Sequence, residues 1–146
     1  MHCAMNSVQH NASGSELRAF AESLSGYLVN QPWQTVASPL LRYCIALTES
    51  PLAFVIVGME RAVRIIALES TDTDRLNAPA FYESADSALA DGGFIEVSGL
   101  DNLFGSVVKT GEVVIVNSPA TDPRFAQLPG RDAPMQSFMG VPLQIG

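Results

Sequence analysis

The chain has 146 residues, of which 47% are hydrophobic and 16% are charged. A chain of this length buries roughly 70% of its unfolded surface, so one packed globular domain is expected. Fifteen acidic residues against eight basic ones give a net charge of −7, which disfavours nucleic acid and anionic lipid as partners. The longest apolar run, residues 52–57, is far shorter than the roughly 20 residues of a membrane helix, so no membrane insertion is expected.

The first third of the chain predicts two helices after a polar leader. Residues 1–13 have neither the basic start nor the apolar stretch of a secretion signal, and are expected to be the flexible leader of a cytoplasmic protein. Ser13 and Glu16 have the spacing of a capping box before a helix over residues 15–29. A second stretch with helical periodicity covers residues 36–47.

Two short apolar runs then predict a β-hairpin. Residues 52–57 and 62–68 are rich in branched and aromatic side chains, and residues 58–60 supply the turn between them. Arg64 interrupts the second run. Such a cation lies either at a solvated edge or towards a ligand carboxylate or phosphate, and the edge or surface is the favoured alternative.

Residues 70–93 have little periodicity, and only a short helix over 84–90 is indicated there. Long structureless insertions in compact domains are commonly functional loops or lids. We therefore expect this excursion to be a loop that helps to form a site.

The last third predicts alternating short strands and helices. Lys109 and Gly111 are a typical helix end, with a cation in the last turn and a glycine after it. Asp122 and Pro123 predict the cap and first residue of a short helical turn. The predicted elements are a strand over 94–97, a helix over 100–108, a strand over 113–116 and a strand over 137–143. The whole order indicates an α+β fold around an antiparallel meander.

The sequence does not support the common enzymatic or metal chemistries. The only lysine is Lys109, no phosphate-binding loop occurs, and both histidines, His2 and His10, lie in the leader. A Ser-His-Asp triad in the folded region is therefore excluded, and no metal site is expected because the two cysteines, Cys3 and Cys44, are far apart.

Four segments near the end of the chain resemble the GAF domain family. They are residues 99–112, 113–117, 122–125 and 137–143, the last reading Ser-Phe-Met-Gly-Val-Pro-Leu. The resemblance implies a PAS-related α+β fold over residues 14–146, with a central antiparallel sheet, helices packed on one face and loops or short helices on the other. The family continues after this motif with another strand and a C-terminal helix. Either these residues exist in a longer parent protein, or an unpaired sheet edge favours dimerisation.

The resemblance also implies a function. GAF domains are sensory and regulatory modules, so the expectation is a non-enzymatic domain that binds a small molecule and passes its occupancy to an output domain such as a histidine kinase or diguanylate cyclase. A homodimer is implied as well. The alternative is a degenerate domain that acts as a dimerisation scaffold without a ligand, through the helices in residues 15–47. A methionine sulfoxide reductase of the same fold is a third, remote reading, since it needs catalytic cysteines.

The ligand is unknown, but two classes are disfavoured. Residues 70–146 contain no cysteine and no histidine, so no covalently attached bilin is expected. The Asn-Lys-x-Phe-Asp-Glu signature of the cyclic-nucleotide-binding relatives is also missing from the sequence.

A pocket against the sheet is the expected binding site. Its candidate residues lie within the predicted strands and helix or in the loops beside them: Phe54, Ile56, Arg64, Leu103, Phe104, Val107, Asn117, Phe125 and Phe138. For each apolar member, packing in the core is the favoured alternative. Binding is expected to shift residues 70–93 and 119–134, termed the two cover segments, and so to bias the helices.

Overall fold

The computed structural model describes residues 33–125 and 127–143. The predicted leader and the helix predicted over residues 15–29 lie outside these ranges. The elements, in chain order, are α1 (Trp33–Thr48), β1 (Leu52–Gly58), β2 (Ala62–Ser70), α2 (Asp72–Asn77), α3 (Pro79–Leu89), β3 (Ile95–Ser98), α4 (Leu103–Thr110), β4 (Val114–Val116) and β5 (Phe138–Gly140), with short 3-10 helices at Ala90–Gly92 and Pro119–Thr121. The predicted α+β class is confirmed.

The strands form two antiparallel sheets. The first contains β1, β2 and β3 in sequence order, and the second contains β4 and β5. The predicted hairpin is confirmed as β1 and β2, whose turn is closed by the Met59 amide donating to the Ala62 carbonyl at 2.8 Å. A bulge between Val55 and Ile56 shifts the register with β2. Because of this shift, the side chains of β2 exchange faces in the middle of the strand.

Helices cover both faces of the three-stranded sheet. Val63, Ile65 and Leu68 of β2 lie in the main core with side chains from α3 and α4. Across the bulge, Ala67 points to the opposite face, where Ala37 and Leu41 of α1 pack on it. Both faces of β2 are thus buried, which accounts for its nearly continuous apolar sequence.

Residues 70–93 are largely helical, so the predicted long loop is wrong. The Thr71 side chain accepts a hydrogen bond from the Asp74 amide at 3.2 Å and caps α2, and Pro79 begins α3. Helix α3 buries four side chains at helical spacing: Phe81, Tyr82, Ala85 and Leu89. The small residues between them weaken the apolar periodicity, and Pro79 lies in the first turn of the helix, where a proline is tolerated.

Helix α4 is close to its prediction. It begins at Leu103, because the Asn102 side chain accepts a hydrogen bond from the Gly105 amide at 2.8 Å and caps the first turn. It ends before Gly111, whose φ of 63° is the left-handed conformation expected of a glycine at this position. The predicted helix end is confirmed.

The region after β4 differs from its prediction. The helical turn lies at Pro119–Thr121, before Asp122 rather than after it. The Asp122 carboxylate instead accepts hydrogen bonds from the backbone amide of Arg124 at 2.8 Å and from its guanidinium at 3.0 Å. The last strand is also shorter than predicted and stops at Gly140. Pro142 follows closely, and a proline has no amide hydrogen for a sheet.

Candidate functional site

Six of the nine predicted site residues meet in the main core, where they pack against one another. Phe104 is fully buried, and its ring lies 5.4 Å from that of Phe54 and 5.6 Å from that of Phe138, measured between centroids. Leu103, Val107 and Ile56 belong to the same cluster. Edge-to-face and tilted rings at these separations are typical of packed aromatic side chains. These six side chains come from strands and from α4 and form packed core rather than the lining of an open cleft.

The other three predicted residues lie apart from this cluster. Arg64 is on β2, the middle strand, with its side chain on the opposite face from Val63 and Ile65. It forms an ion pair with Glu96 at 3.2 Å, and its guanidinium lies 3.9 Å from the centroid of the Phe94 ring. Asn117 and Phe125 are exposed. The nine residues therefore do not share one surface.

A buried polar group that the sequence analysis did not select lies beside the core. Asp74, Tyr82 and Arg131 form it, and it is termed the Arg131 cluster. The two guanidinium nitrogens of Arg131 donate to the two carboxylate oxygens of Asp74 at 2.7 Å and 3.0 Å. The first of them also donates to the Tyr82 hydroxyl at 3.0 Å, and that hydroxyl donates to Asp74. The cluster is a closed hydrogen-bonding ring of one cation, one anion and one phenol.

The surroundings of this cluster determine which of its groups are ionised at neutral pH. The hydrogen bonds from Arg131 hold the pKa of the Asp74 carboxyl below its usual range. Burial, followed by the hydrogen bond to Asp74, raises the pKa of the Tyr82 hydroxyl. Tyr82 is therefore neutral and acts as a donor, while Asp74 is ionised and acts only as an acceptor.

A tight turn positions Arg131. The Arg131 amide donates to the Leu128 carbonyl at 3.1 Å, and Gly130 has a φ of 77°. Proline at the second position and a positive-φ glycine at the third are the signature of a type II turn, here Pro129 and Gly130. Leu128 is almost fully buried and anchors the turn in the core. The backbone of Arg131 is thus held by a turn that is anchored in the core.

The Arg131 cluster joins the two cover segments. Asp74 and Tyr82 belong to the first segment, and Arg131 to the second, 57 residues further along the chain from Asp74. The Ser70 hydroxyl is buried beside the Tyr82 hydroxyl of this cluster. The sequence signal for this site was the Leu-Pro-Gly turn directly before an arginine, whereas nothing local indicated that Asp74 would be its partner.

Neither a metal-ligand cluster nor a membrane-spanning helix occurs in residues 33–125 and 127–143. These residues contain no group of three or more histidine, cysteine, aspartate or glutamate side chains placed to hold a metal ion. None of the helices within these ranges is long and apolar enough to cross a membrane.

An open groove near the end of α1, lined in part by Ile45, Pro51 and Thr71, lies outside the Arg131 cluster.

Comparison with known proteins identifies the family of the chain. No curated protein and no solved structure matches it. The family model of the GAF domain, however, matches residues 30–146, which include every element of both sheets, the two cover segments and the Arg131 cluster. Because this match spans most of the chain, it settles the resemblance seen in the last third of the sequence: the chain belongs to the GAF domain family.

Proposed function

We propose that this chain is a sensory GAF module, which binds a small molecule beneath its two cover segments and passes the occupancy on to an output domain. Membership of a family of sensory and regulatory domains supports the general role. The observation that carries the location is the Arg131 cluster, because a buried ion pair joins the two segments that would have to part. A buried ion pair adds little net stability compared with apolar side chains of the same size. Its presence between the two segments therefore favours a switching role.

The route from the site to the rest of the protein runs through β2. The Gln34 side chain of α1 donates to the Leu68 carbonyl and accepts from the Leu68 amide, each at 2.8 Å. Next to it, Glu69 accepts a hydrogen bond from Ser38 and lies 3.5 Å from the Arg42 guanidinium. The backbone of β2 is therefore held to α1 directly behind the main core. A ligand that favours one arrangement of the cover segments would bias α1 through these contacts.

We further propose an output partner, an oligomeric state and a cellular location for the module. The output domain would be one of the signalling enzymes found beside GAF domains, such as a histidine kinase or a diguanylate cyclase. The module would act as a homodimer in the cytoplasm, without an enzymatic activity of its own.

A second candidate function is a dimerisation scaffold without a ligand. The packing of the predicted apolar site residues into the core supports it, as does an apolar patch on β4 and β5. Ile115 pairs with Met139 across the two strands, and both side chains are more than half exposed. Val113 and Val141, which directly flank these two strands, are also exposed. A patch of this kind is typical of a protein interface.

Native mass spectrometry of the purified chain, compared with the same sample after denaturation, tests the proposal. A small-molecule sensor is expected to carry an excess mass that is lost on unfolding. A bare chain at the mass of a dimer would favour the scaffold instead. A bare monomer that gains no mass from added metabolite extract would contradict both functions.

A further inference from the structure

Arg131 presents to Asp74 the geometry with which arginine binds an acid group of a ligand. Its two terminal nitrogens meet the two oxygens of one carboxylate at 2.7 Å and 3.0 Å. Paired donors of this kind recognise carboxylate and phosphate groups by shape as well as by charge. The side chain of Arg131 is 9% exposed and that of Asp74 is 14% exposed, so the pair is buried but within reach of solvent.

The two partners are held with very different strength. Arg131 is the last residue of a type II turn that Leu128 anchors in the core. Asp74 lies on α2, a helix of six residues with no buried side chain, in which Leu76 is 81% exposed. Helix α2 is also tied to α3 by Arg75, which pairs with Asp86 at 2.8 Å and lies 4.8 Å from the centroid of the Tyr82 ring, but this pair is partly exposed to solvent, which weakens it. The acid is therefore the partner that can leave.

Departure of Asp74 would free further polar groups for a ligand. The Tyr82 hydroxyl now donates to Asp74 and would become available as a donor. The Ser70 hydroxyl is buried beside that of Tyr82 and is next in the chain to Thr71, the cap of α2. Both hydroxyls would then be available to donate to a bound acid group.

We propose that Arg131 anchors the acid group, carboxylate or phosphate, of the ligand of this module, and that Asp74 occupies its place until the ligand binds. The inference rests on the proposed sensory function and names its ligand class. An incoming oxyanion takes the paired donors of Arg131, Asp74 swings out with α2, and the two cover segments part. Asp74 is thus an internal competitor of the ligand. The apparent affinity for the ligand scales with the fraction of molecules in which Asp74 does not occupy Arg131.

The test compares the Asp74→Asn variant of the full chain with the wild type. Binding of succinate and of inorganic phosphate is measured by isothermal titration calorimetry. Removal of the competing charge is expected to tighten the binding of at least one probe by about tenfold or more. The probe that gains shows whether the site prefers carboxylate or phosphate. Adding Arg131→Gln to this variant is expected to abolish the gain.

Asp122→Asn is the matched control, because Asp122 also binds the guanidinium of an arginine through both its oxygens and is 15% exposed, close to the 14% of Asp74, whereas its partner Arg124 is 43% exposed. Its affinity for both probes should stay equal to that of the wild type. If the Asp74→Asn variant binds neither probe more tightly than the wild type, the inference is wrong. If this variant does not fold, hydrogen exchange of the wild type in succinate and in phosphate decides: faster exchange of residues 72–77 with either probe supports the inference, and unchanged exchange with both contradicts it.

The inference and the proposed function fail in different ways. A retained ligand without an acid group, found by native mass spectrometry, would leave the sensory function standing and remove the role of Arg131. A bare chain with no gain of anion binding in the variant would contradict both.

Discussion

Replacement of Phe104 by alanine is expected to lower the free energy of unfolding by about 3–5 kcal/mol, the usual cost of truncating a buried phenylalanine. Phe104 is fully buried and packs between the rings of Phe54 and Phe138. Its removal leaves a cavity at the centre of the main core, where these rings leave little room for collapse. Urea unfolding followed by circular dichroism measures the change.

Phe125→Ala is the control for this prediction, because it removes the same side chain from a position that is 38% exposed. We expect it to cost less than about 1 kcal/mol, as surface substitutions usually do. If Phe104 instead lined an open pocket, its truncation would be nearly as mild as that of Phe125. Equal effects in the two variants would show that the predicted site residues surround a cavity and do not form the packed core.

Replacement of Arg131 by glutamine is expected to lower the free energy of unfolding at neutral pH by about 2 kcal/mol, which is less than the cost of breaking a fully buried ion pair because Asp74 is 14% exposed. The loss arises because Asp74 stays ionised and largely removed from water without its cation. The hydrogen bonds from Arg131 lower the pKa of Asp74 in the folded chain. Stabilisation by the pair is therefore complete above the unfolded pKa of about 4, and is lost as the pH falls through the folded value.

The pH dependence separates this effect from a general loss of packing. The stability difference between the wild type and the Arg131→Gln variant should shrink steadily as the pH is lowered below about 4. Arg124→Gln is the matched control, since Arg124 forms a similar pair with Asp122 but is well exposed. It should change stability much less at neutral pH. A difference that stays constant down to low pH would contradict the role of the ion pair.

Sequence patterns predicted the elements whose signals are local. The hairpin of β1 and β2 follows from two apolar runs around a turn, and the end of α4 follows from Lys109 and Gly111. The main errors lie where one residue type has two readings. Pro79 lies in the segment predicted as a loop but begins α3, and Asp122 suggested a helix cap but binds Arg124 within a turn.

The candidate site could be predicted only in part. Apolar spacing selected Phe54, Phe104 and Phe138, and the structure brings their side chains together, since such spacing reports burial on one face. Periodicity carries no information on whether a buried face meets another element or a ligand. The pairing of Asp74 with Arg131 spans 57 residues and depends on how two segments pack, so no local pattern could reveal it.

The central claim is that one buried ion pair holds the first cover segment against the second, and hydrogen exchange measured by mass spectrometry tests it most directly. The wild type is compared with the Arg131→Gln variant under native conditions. We expect the amides of residues 72–77 to exchange about tenfold or more faster in the variant, while those of β2 keep most of their protection. Unchanged exchange in residues 72–77 would contradict it, because α2 would then be held by contacts other than Arg131.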